Sequence, residues 1–520
     1  MSNISKKPFI NVDGFLFLAM RKEYCAIFNV GSLAVVLFCQ VLMGCSQKKE
    51  EPKKPNIVFI FTDDQRADAL GAAGNQIIKT PNLDALAASG VRFTNNYCMG
   101  SIHGAVCAPS RAMLMSGKSL YHVYDKLDTV TTMPQVLAAN GYTTFGTGKW
   151  HNGGNSFLAS FQQGKNVFLG GMDDHFNTTV RDKVNDSTFT EPIEKGFSTD
   201  LFADAMIDFI TSQKGADKPF FAYIAFTAPH DPRSPLPQYL EQYTGDTVPL
   251  PANFKPWHPF NFGELNEMQV RDEHLAPWPR DPGMIQDQLR EYYAMITHAD
   301  KRIGDIIASI EASGFADNTI IVYAADHGLA LGSHGLVGKQ SLYEHSMKAP
   351  LVFAGPGLPA NETRDALVYL YDIFPTLCNL TGVEPPEGVD GKDLSKVIMG
   401  KEGGVRTSLF TTYRGTHRAV RDKKWKLIRY PMIDHTQLFD LENDPDELVN
   451  LAGEKEHEVK VREMMGLLGS WQRRTDDTLQ LTAKTIVPME YDPTTFERKP
   501  DVHQPPFVLE KYFKEYKAQP

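Results

Sequence analysis

The residues best suited to do chemistry lie in the stretch Cys107-Ala108-Pro109-Ser110-Arg111. Pro109 fits the first turn of a helix, where a missing N–H costs nothing. Ser110 to Met115 tolerates helix and runs to Gly117, a natural C-terminal stop. Cys107 is therefore expected at or just before a helix N-terminus, where free backbone N–H groups and the helix dipole favour an anion. Arg111, one turn on, adds a fixed charge with forked donors. A nucleophile, or its precursor, beside an anion cradle suits attack on a sulfate or phosphate ester. The alternative is a structural or disulfide-forming cysteine, with Cys98 as its partner, since export permits disulfides.

Four further clusters each close an apolar run. Ile57 to Phe61 reads as a strand buried on both faces and leads to Asp63-Asp64. Tyr142 to Phe145 leads to Gly148-Lys149-Trp150-His151, Phe220 to Phe226 to Pro229-His230, and Ile320 to Ala324 to Asp326-His327-Gly328. Each cluster alone has a plainer reading as a cap, a solvated corner, a packed histidine or a turn. Together they place carboxylate, lysine and histidine at four strand ends, where open α/β sheets bind ligands. Lys339, in the loop that follows Asp326-His327, joins the same set. Asp63, Asp64 and Asp326 are hard oxygen donors that suit Ca²⁺ better than zinc, with His327 a softer member.

Helical patterns separate these strands: Thr80-Pro81 to Gly90, Pro134 to Asn140, Phe202 to Ile210 and Gln286 to Ser313. The alternation predicts an α/β fold, a large mostly parallel sheet sandwiched by helices. After Gly403-Gly404 the pattern changes to Leu409 to Tyr413, Arg418 to Arg421, Trp425 to Tyr430 and Gln437 to Asp440. These predict a smaller C-terminal α+β subdomain with an antiparallel sheet and a helix over Val459 to Trp471. The proline- and charge-rich tail from Thr478 is expected to lie over the surface. The expected organisation is 1–45 leader, 46–54 tether, 55–403 catalytic α/β domain and 404–520 C-terminal subdomain and tail.

Cys107-x-Pro109-Ser110-Arg111 with Met115-Ser116-Gly117 resembles the signature of the type I, formylglycine-dependent sulfatases of the alkaline phosphatase superfamily, which usually ends Leu-Thr-Gly. Tyr293 to Gly304, Asp372 to Leu377 and Asp390-Gly391-Lys392 resemble further blocks of that family. The resemblance implies an alkaline-phosphatase-like fold and a calcium-dependent sulfuric ester hydrolase. It implies that Cys107 is oxidised to formylglycine by a formylglycine-generating or anaerobic sulfatase-maturating enzyme. By the same resemblance Asp63, Asp64, Asp326, His327 and the modified Cys107 hold the metal. Cys107, Arg111, His151 and His230 are catalytic, and Lys149, Lys339 and His230 bind substrate. The chain resembles secreted Bacteroidetes glycan sulfatases, so the expected substrate is a sulfated carbohydrate, with galactose or N-acetylgalactosamine sulfate as one guess. A phosphodiesterase or phosphonate monoester hydrolase on the same scaffold, or an inactive glycan-binding homologue, stands as the alternative.

The N-terminus is read as a targeting segment. Arg21-Lys22 precede an apolar run from Ala26 to Gly44, and Leu42-Met43-Gly44-Cys45 resembles a lipoprotein cleavage box. Met20 is then a plausible true start, and Cys45 the lipidated residue of an exported periplasmic or cell-surface lipoprotein that meets the membrane only through that anchor. Of the 6 cysteines, Cys25 and Cys39 leave with the leader, so no disulfide framework is expected. The net charge of -10 argues against a nucleic-acid partner. The proline-dense stretch Pro229 to Pro282, with Trp257 and Trp278, is read as binding loops. Asp173, Asp174, His175, Arg233, His417 and His435 are polar candidates for a sugar subsite.

Overall fold

The structure, a computed structural model, describes residues 53–244, 248–264, 268–496, 500–501 and 504–514. The expected leader and all but the last two residues of the expected tether lie outside the described residues. Among those described, no helix is long and apolar enough to cross a membrane.

Eight strands form the main sheet: β1 Asn56–Thr62, β2 Gly90–Tyr97, β3 Thr143–Lys149, β4 Gln163–Phe168, β5 Phe220–Ala225, β6 Thr319–Ala325, β7 Lys348–Ala354 and β8 Glu362–Tyr369. Their order is β8-β2-β7-β6-β1-β5-β3-β4. β7 alone runs against its neighbours, antiparallel to β6 and to β2. β6, β1, β5 and β3 are adjacent and parallel. The continuous apolar runs are explained by burial on both sides. Ile57, Phe59 and Phe61 enter one core, and Val58 and Ile60 the other.

One face is covered by α1 Pro81–Ala88, α3 Ser198–Ser212 and the long α4 Pro282–Ala312, the other by α2 Cys107–Ser116 and α5 Ile373–Leu380. α1 stops at Ala88, and Gly90, expected as its terminal glycine, is the first residue of β2. A side chain at Gly90 would meet the β7 backbone, with Phe353 O only 2.2 Å from a Cβ placed there. Gly117 does end α2, with φ 67° and its N–H on Met113 O.

The second sheet contains β9 Leu409–Tyr413, β10 His417–Arg421, β11 Trp425–Tyr430 and β12 His435–Asp440, antiparallel in sequence order, with α6 Glu458–Arg474 against it. A fifth strand, Gly100–Ser101, was not legible in the sequence and pairs in parallel with β9. The chain from Lys54 onward packs as one compact unit. The tail does more than lie over the surface. Phe496 enters the main core, and the final helix, α7 Pro506–Tyr512, buries Val508 and Tyr512 beside Phe513.

Candidate active site

The carboxyl ends of β6, β1, β5 and β3 open on one edge of the sheet, and the first turn of α2 sits over it. Asp63-Asp64 follow β1, Asp326-His327 follow β6, Lys149 is the last residue of β3, and His230 lies on the loop after β5. The site residues expected from the sequence therefore converge. Asp64, Cys107, Asp326 and His327 offer ligand atoms all within 4.8 Å of one another, as do Asp63, Asp64, Cys107 and His230.

Local backbone geometry does much of the aiming. Asp64 has φ 64°, a left-handed conformation that aspartate tolerates better than most residues. Its N–H donates to Asp326 Oδ1 at 2.9 Å, and that oxygen also accepts from His327 N at 3.0 Å. His151 has φ 69°. Its ring lies against Gly171, where a Cβ would come within 2.7 Å of His151 Nε2. Ser110 Oγ donates to Asp326 O at 2.8 Å and ties α2 to the end of β6.

Positive groups ring the acids. Asp63 Oδ2 is paired with Lys149 Nζ and with Arg111, the latter at 3.1 Å. Arg111 is buried, donates to Lys149 O at 2.9 Å and lies over the Phe61 ring at 5.0 Å. Lys339 Nζ reaches Asp64 Oδ1 at 2.8 Å and Cys107 Sγ at 3.1 Å. Burial opposes ionisation of Asp63, yet Lys149 and Arg111 hold its carboxyl well below the usual range. Burial also opposes a charged Lys339, but Asp64, Cys107 and Asp272 together raise it well above its usual value. Burial pushes the Cys107 thiol well up, and Asp63 adds to the push. An unmodified Cys107 is thus held as a thiol, a poor nucleophile. Cys98 and Cys107 are both free, so the disulfide alternative falls. Cys98 Sγ instead accepts from Gly100 N at 3.3 Å.

Burial drives His151 well below its usual range, with Lys149 and Arg111 adding to the effect. Burial lowers His230 too, followed by Lys339, with Asp64 opposing. Two imidazoles, His151 and His230, border the site and can accept or pass a proton.

A cavity of about 680 Å³ opens above Cys107 and is bordered by His151, His230, Lys339, Met172, Arg271 and Gln340, among others. Sequence reasoning missed its far wall. Asp272 lies 3.8 Å from Lys339 and accepts from Gln340 Nε2 at 2.8 Å. Arg271 pairs with Asp231 and with Asp272. The signal available was the acidic and basic run Arg271-Asp272-Glu273 inside an otherwise apolar, proline-rich stretch.

None of the polar sugar-subsite candidates borders this cavity. His175 is buried, and its Nε2 donates to His230 O at 3.0 Å. Arg233 is buried on Gln288, and His417 is buried with its ring stacked on Tyr430. Asp173 and Asp174 accept backbone N–H groups of Thr179 and Phe176. Trp278 is buried under Arg280, and Trp257 and His435 lie elsewhere. Polar residues in these loops went to internal bonding rather than to an open subsite.

Residues 55–383 match the family model described as Sulfatase. The chain belongs to the sulfatase family. Residues 332–473 of this sulfatase also match the model described as N-sulphoglucosamine sulphohydrolase, C-terminal. An N-acetylglucosamine-6-O-sulfatase from Bacteroides thetaiotaomicron is 28% identical over 86% of this chain and 92% of its own length. An ulvan-active sulfatase from Formosa agariphila is 29% identical over 82% of this chain and 83% of its own. A solved structure described as a complex with its substrate D-glucosamine-2-N,6-O-disulfate superposes with TM-score 0.69 and 26% identity, covering 82% of this chain and 99% of that one. The fold expected from the sequence, a mostly parallel sheet flanked by helices with a smaller antiparallel sheet, is the fold observed. The sulfatase is a sulfuric ester hydrolase.

The family implies a metal ion and a formylglycine, and the residues present fit both. Asp63 Oδ1, Asp326 Oδ2 and His327 Nε2 are buried with no hydrogen-bond partner among the described residues. Burial and the neighbouring Asp63 push Asp326 up to about 6, so the crowded acids favour a bound cation. Cys107 lies beside this donor set and opens on the cavity.

Proposed function

We propose that the enzyme hydrolyses a sulfate ester of a sulfated hexosamine in a glycan, with Ca²⁺ held by Asp63, Asp64, Asp326 and His327 and with Cys107 matured to formylglycine. The observation that carries this reading is the ring of Lys149, Lys339 and Arg111 around Cys107 and the acids, a cradle for an anionic sulfuryl group. When bound, the cation supplies Lewis-acid polarisation of a sulfuryl oxygen. The formylglycine supplies a hydrated aldehyde as nucleophile at a position where the native thiol stays protonated.

The chain's own residues account for the rest. Lys149 and Lys339 bind sulfate oxygens and neutralise their charge. Arg111, fixed by Lys149 O and Asp63, keeps residue 107 oriented. His151, neutral and facing the cavity, accepts a proton on the nucleophile side. His230 presents Nε2 to the cavity and, in its protonated form, gives that proton to the departing sugar oxygen. The relatives support a glucosamine-type sugar over the galactose-type expected from sequence, and both remain arms of the test. The leader ending at Cys45 supports export as a lipoprotein, and acyl labelling that is lost in a Cys45→Ala protein would test it.

The decisive experiment is peptide mass analysis around Cys107 in protein from the native host, with sulfate release measured on 6-O-sulfated N-acetylglucosamine and N-acetylgalactosamine. Aryl sulfate and aryl phosphate are run in parallel. An aldehyde at residue 107 and turnover of a sulfated sugar are expected. A plain thiol in fully active enzyme would refute the formylglycine. Faster phosphate than sulfate release would favour the phosphonate-hydrolase alternative.

A further inference from the structure

The tail after α6 ends where the mechanism needs a rigid support. His230 Nδ1 donates to Asp231 O at 2.7 Å and lies 3.3 Å from Asp231 Oδ1. Nδ1 therefore carries the hydrogen of the neutral ring, and the proton taken up by the charged ring sits on Nε2, the nitrogen that faces the cavity and can give it up. Asp231 is buried and gripped by both terminal guanidinium nitrogens of Arg271. Burial works against its charge, yet Arg271 and His230 hold the Asp231 carboxyl well below the usual range. Arg271 is held in turn from the tail, with Nε 3.2 Å from Asp501 Oδ2. Gln504 Nε2 reaches Asp231 Oδ2 directly at 3.3 Å. Asp501 and Gln504 are both buried.

The attachment is anchored beyond these contacts. α7 follows at once and buries Val508 and Tyr512. Lys511 Nζ pairs with Glu291 of α4 at 2.6 Å, and Tyr512 Oη donates to Glu291 Oε2 at 3.1 Å. Under the ring, His175 Nε2 holds the His230 carbonyl, and Thr227 and Ser198 complete a buried chain to His175 Nδ1. The His230 backbone is thus held by His175, itself backed by Ser198 of α3, and its ring is held through Asp231 by a strap made of the last described residues.

We propose that the C-terminal segment is a positioning strap, in which Asp501 and Gln504 act through Arg271 and Asp231 to hold His230 Nε2 toward the leaving oxygen. This rests on the assignment of His230 as the proton donor. Asp231, Arg271, Asp501 and Gln504 are positioning residues; none needs to touch the reacting sulfur. The same strap makes Arg271 part of the cavity wall, so the tail also shapes one side of the substrate space.

The leaving group discriminates this role from simple stabilisation. A sugar alkoxide needs a proton to depart, whereas a nitrocatecholate does not. Full-length Asp501→Asn with Gln504→Ala, matured in the native host, is compared with Asp501→Glu on a sulfated hexosamine and on 4-nitrocatechol sulfate. The double variant is expected to lose about tenfold or more in kcat on the sugar, the cost of misplacing a catalytic group, and less than about twofold on the aryl sulfate. Asp501→Glu is expected to restore most of the sugar rate. Equal losses on both substrates, or no loss on the sugar, would overturn the strap. If His230→Ala itself spares the sugar rate, the donor assignment fails, and the strap's role with it.

Discussion

Replacing Gly148 by alanine should separate backbone positioning of the site from side-chain positioning. Gly148 immediately precedes Lys149 and has φ 85°. A Cβ there would sit 2.0 Å from Ala225 O and 2.8 Å from Ala225 C. Those are backbone atoms of β5, the register partner of Gly148, so no side chain can swing aside. Relieving a carbon–oxygen contact to about 3.3 Å requires the two strand ends to part by roughly 1 Å. The left-handed φ costs about 1 kcal/mol, and weakening one or two ladder hydrogen bonds costs about 1 kcal/mol each. The sum is about 3 kcal/mol. Unfolding entropy grows with chain length to about 1 kcal/mol/K here, so the melting midpoint falls by only ~3 °C. Activity should be far more sensitive, because a ~1 Å displacement of Lys149 costs about 100-fold. Gly141→Ala is the control, with φ 93° and nothing within 4 Å of the new Cβ. It should lose about 1 kcal/mol of stability and keep its kcat. The assay is sulfate release with calorimetry on both proteins. Wild-type kcat in Gly148→Ala, or a loss matched by Gly141→Ala, would refute the argument that strand spacing places Lys149.

Further expectations follow from the same contacts. Chelation should abolish sulfate release and lower the melting midpoint, and Ca²⁺ should restore both better than Zn²⁺; activity unchanged after exhaustive chelation would remove the metal from the site. Asp372 is fully buried and accepts from Tyr369 N at 2.8 Å, Lys392 N at 2.7 Å and Arg406; Asp372→Ala should cost about 3–5 kcal/mol by stranding Arg406, read as a lower denaturant midpoint. Burial lowers His175 to about 4. A depressed imidazole contributes stability that is present above the unfolded value near pH 6.5 and is lost as pH falls toward 4, by roughly 3 kcal/mol. His175→Gln should flatten the melting profile in that window, and an unchanged slope would place the acid sensitivity elsewhere. Cys107→Ala should cut turnover by about 1,000-fold or more while leaving the melting midpoint within a few degrees.

The catalytic edge was legible because its physics is local. A parallel strand buried on both faces must read as an uninterrupted apolar run, and the polar residues that end it stand out, as Asp63-Asp64 and Asp326-His327 do. The α2 signal was equally local, from Pro109 to Gly117. What escaped depends on pairing across long sequence separation. Nothing near Gly100 announces a partner at Thr412, and nothing in Lys348–Ala354 reveals that β7 runs against its neighbours. The far cavity wall escaped for a related reason: Arg271, Asp272 and Gln340 sit in irregular chain without periodicity. The sugar-subsite residues misled because polarity in a loop does not tell which groups bond internally, and His175, Arg233 and His417 all do.

The short pairing of Gly100–Ser101 with β9 has a consequence for the order of events during synthesis. Six residues after that strand, the helix that begins at Cys107 is sealed into the core. Its neighbour in the second sheet emerges from the ribosome some three hundred residues later. Until then Gly100 and Ser101 lack the strand they pair with. The nascent chain therefore carries this strand edge without its ladder partner for most of translation, and arrival of the C-terminal hairpins ends that interval.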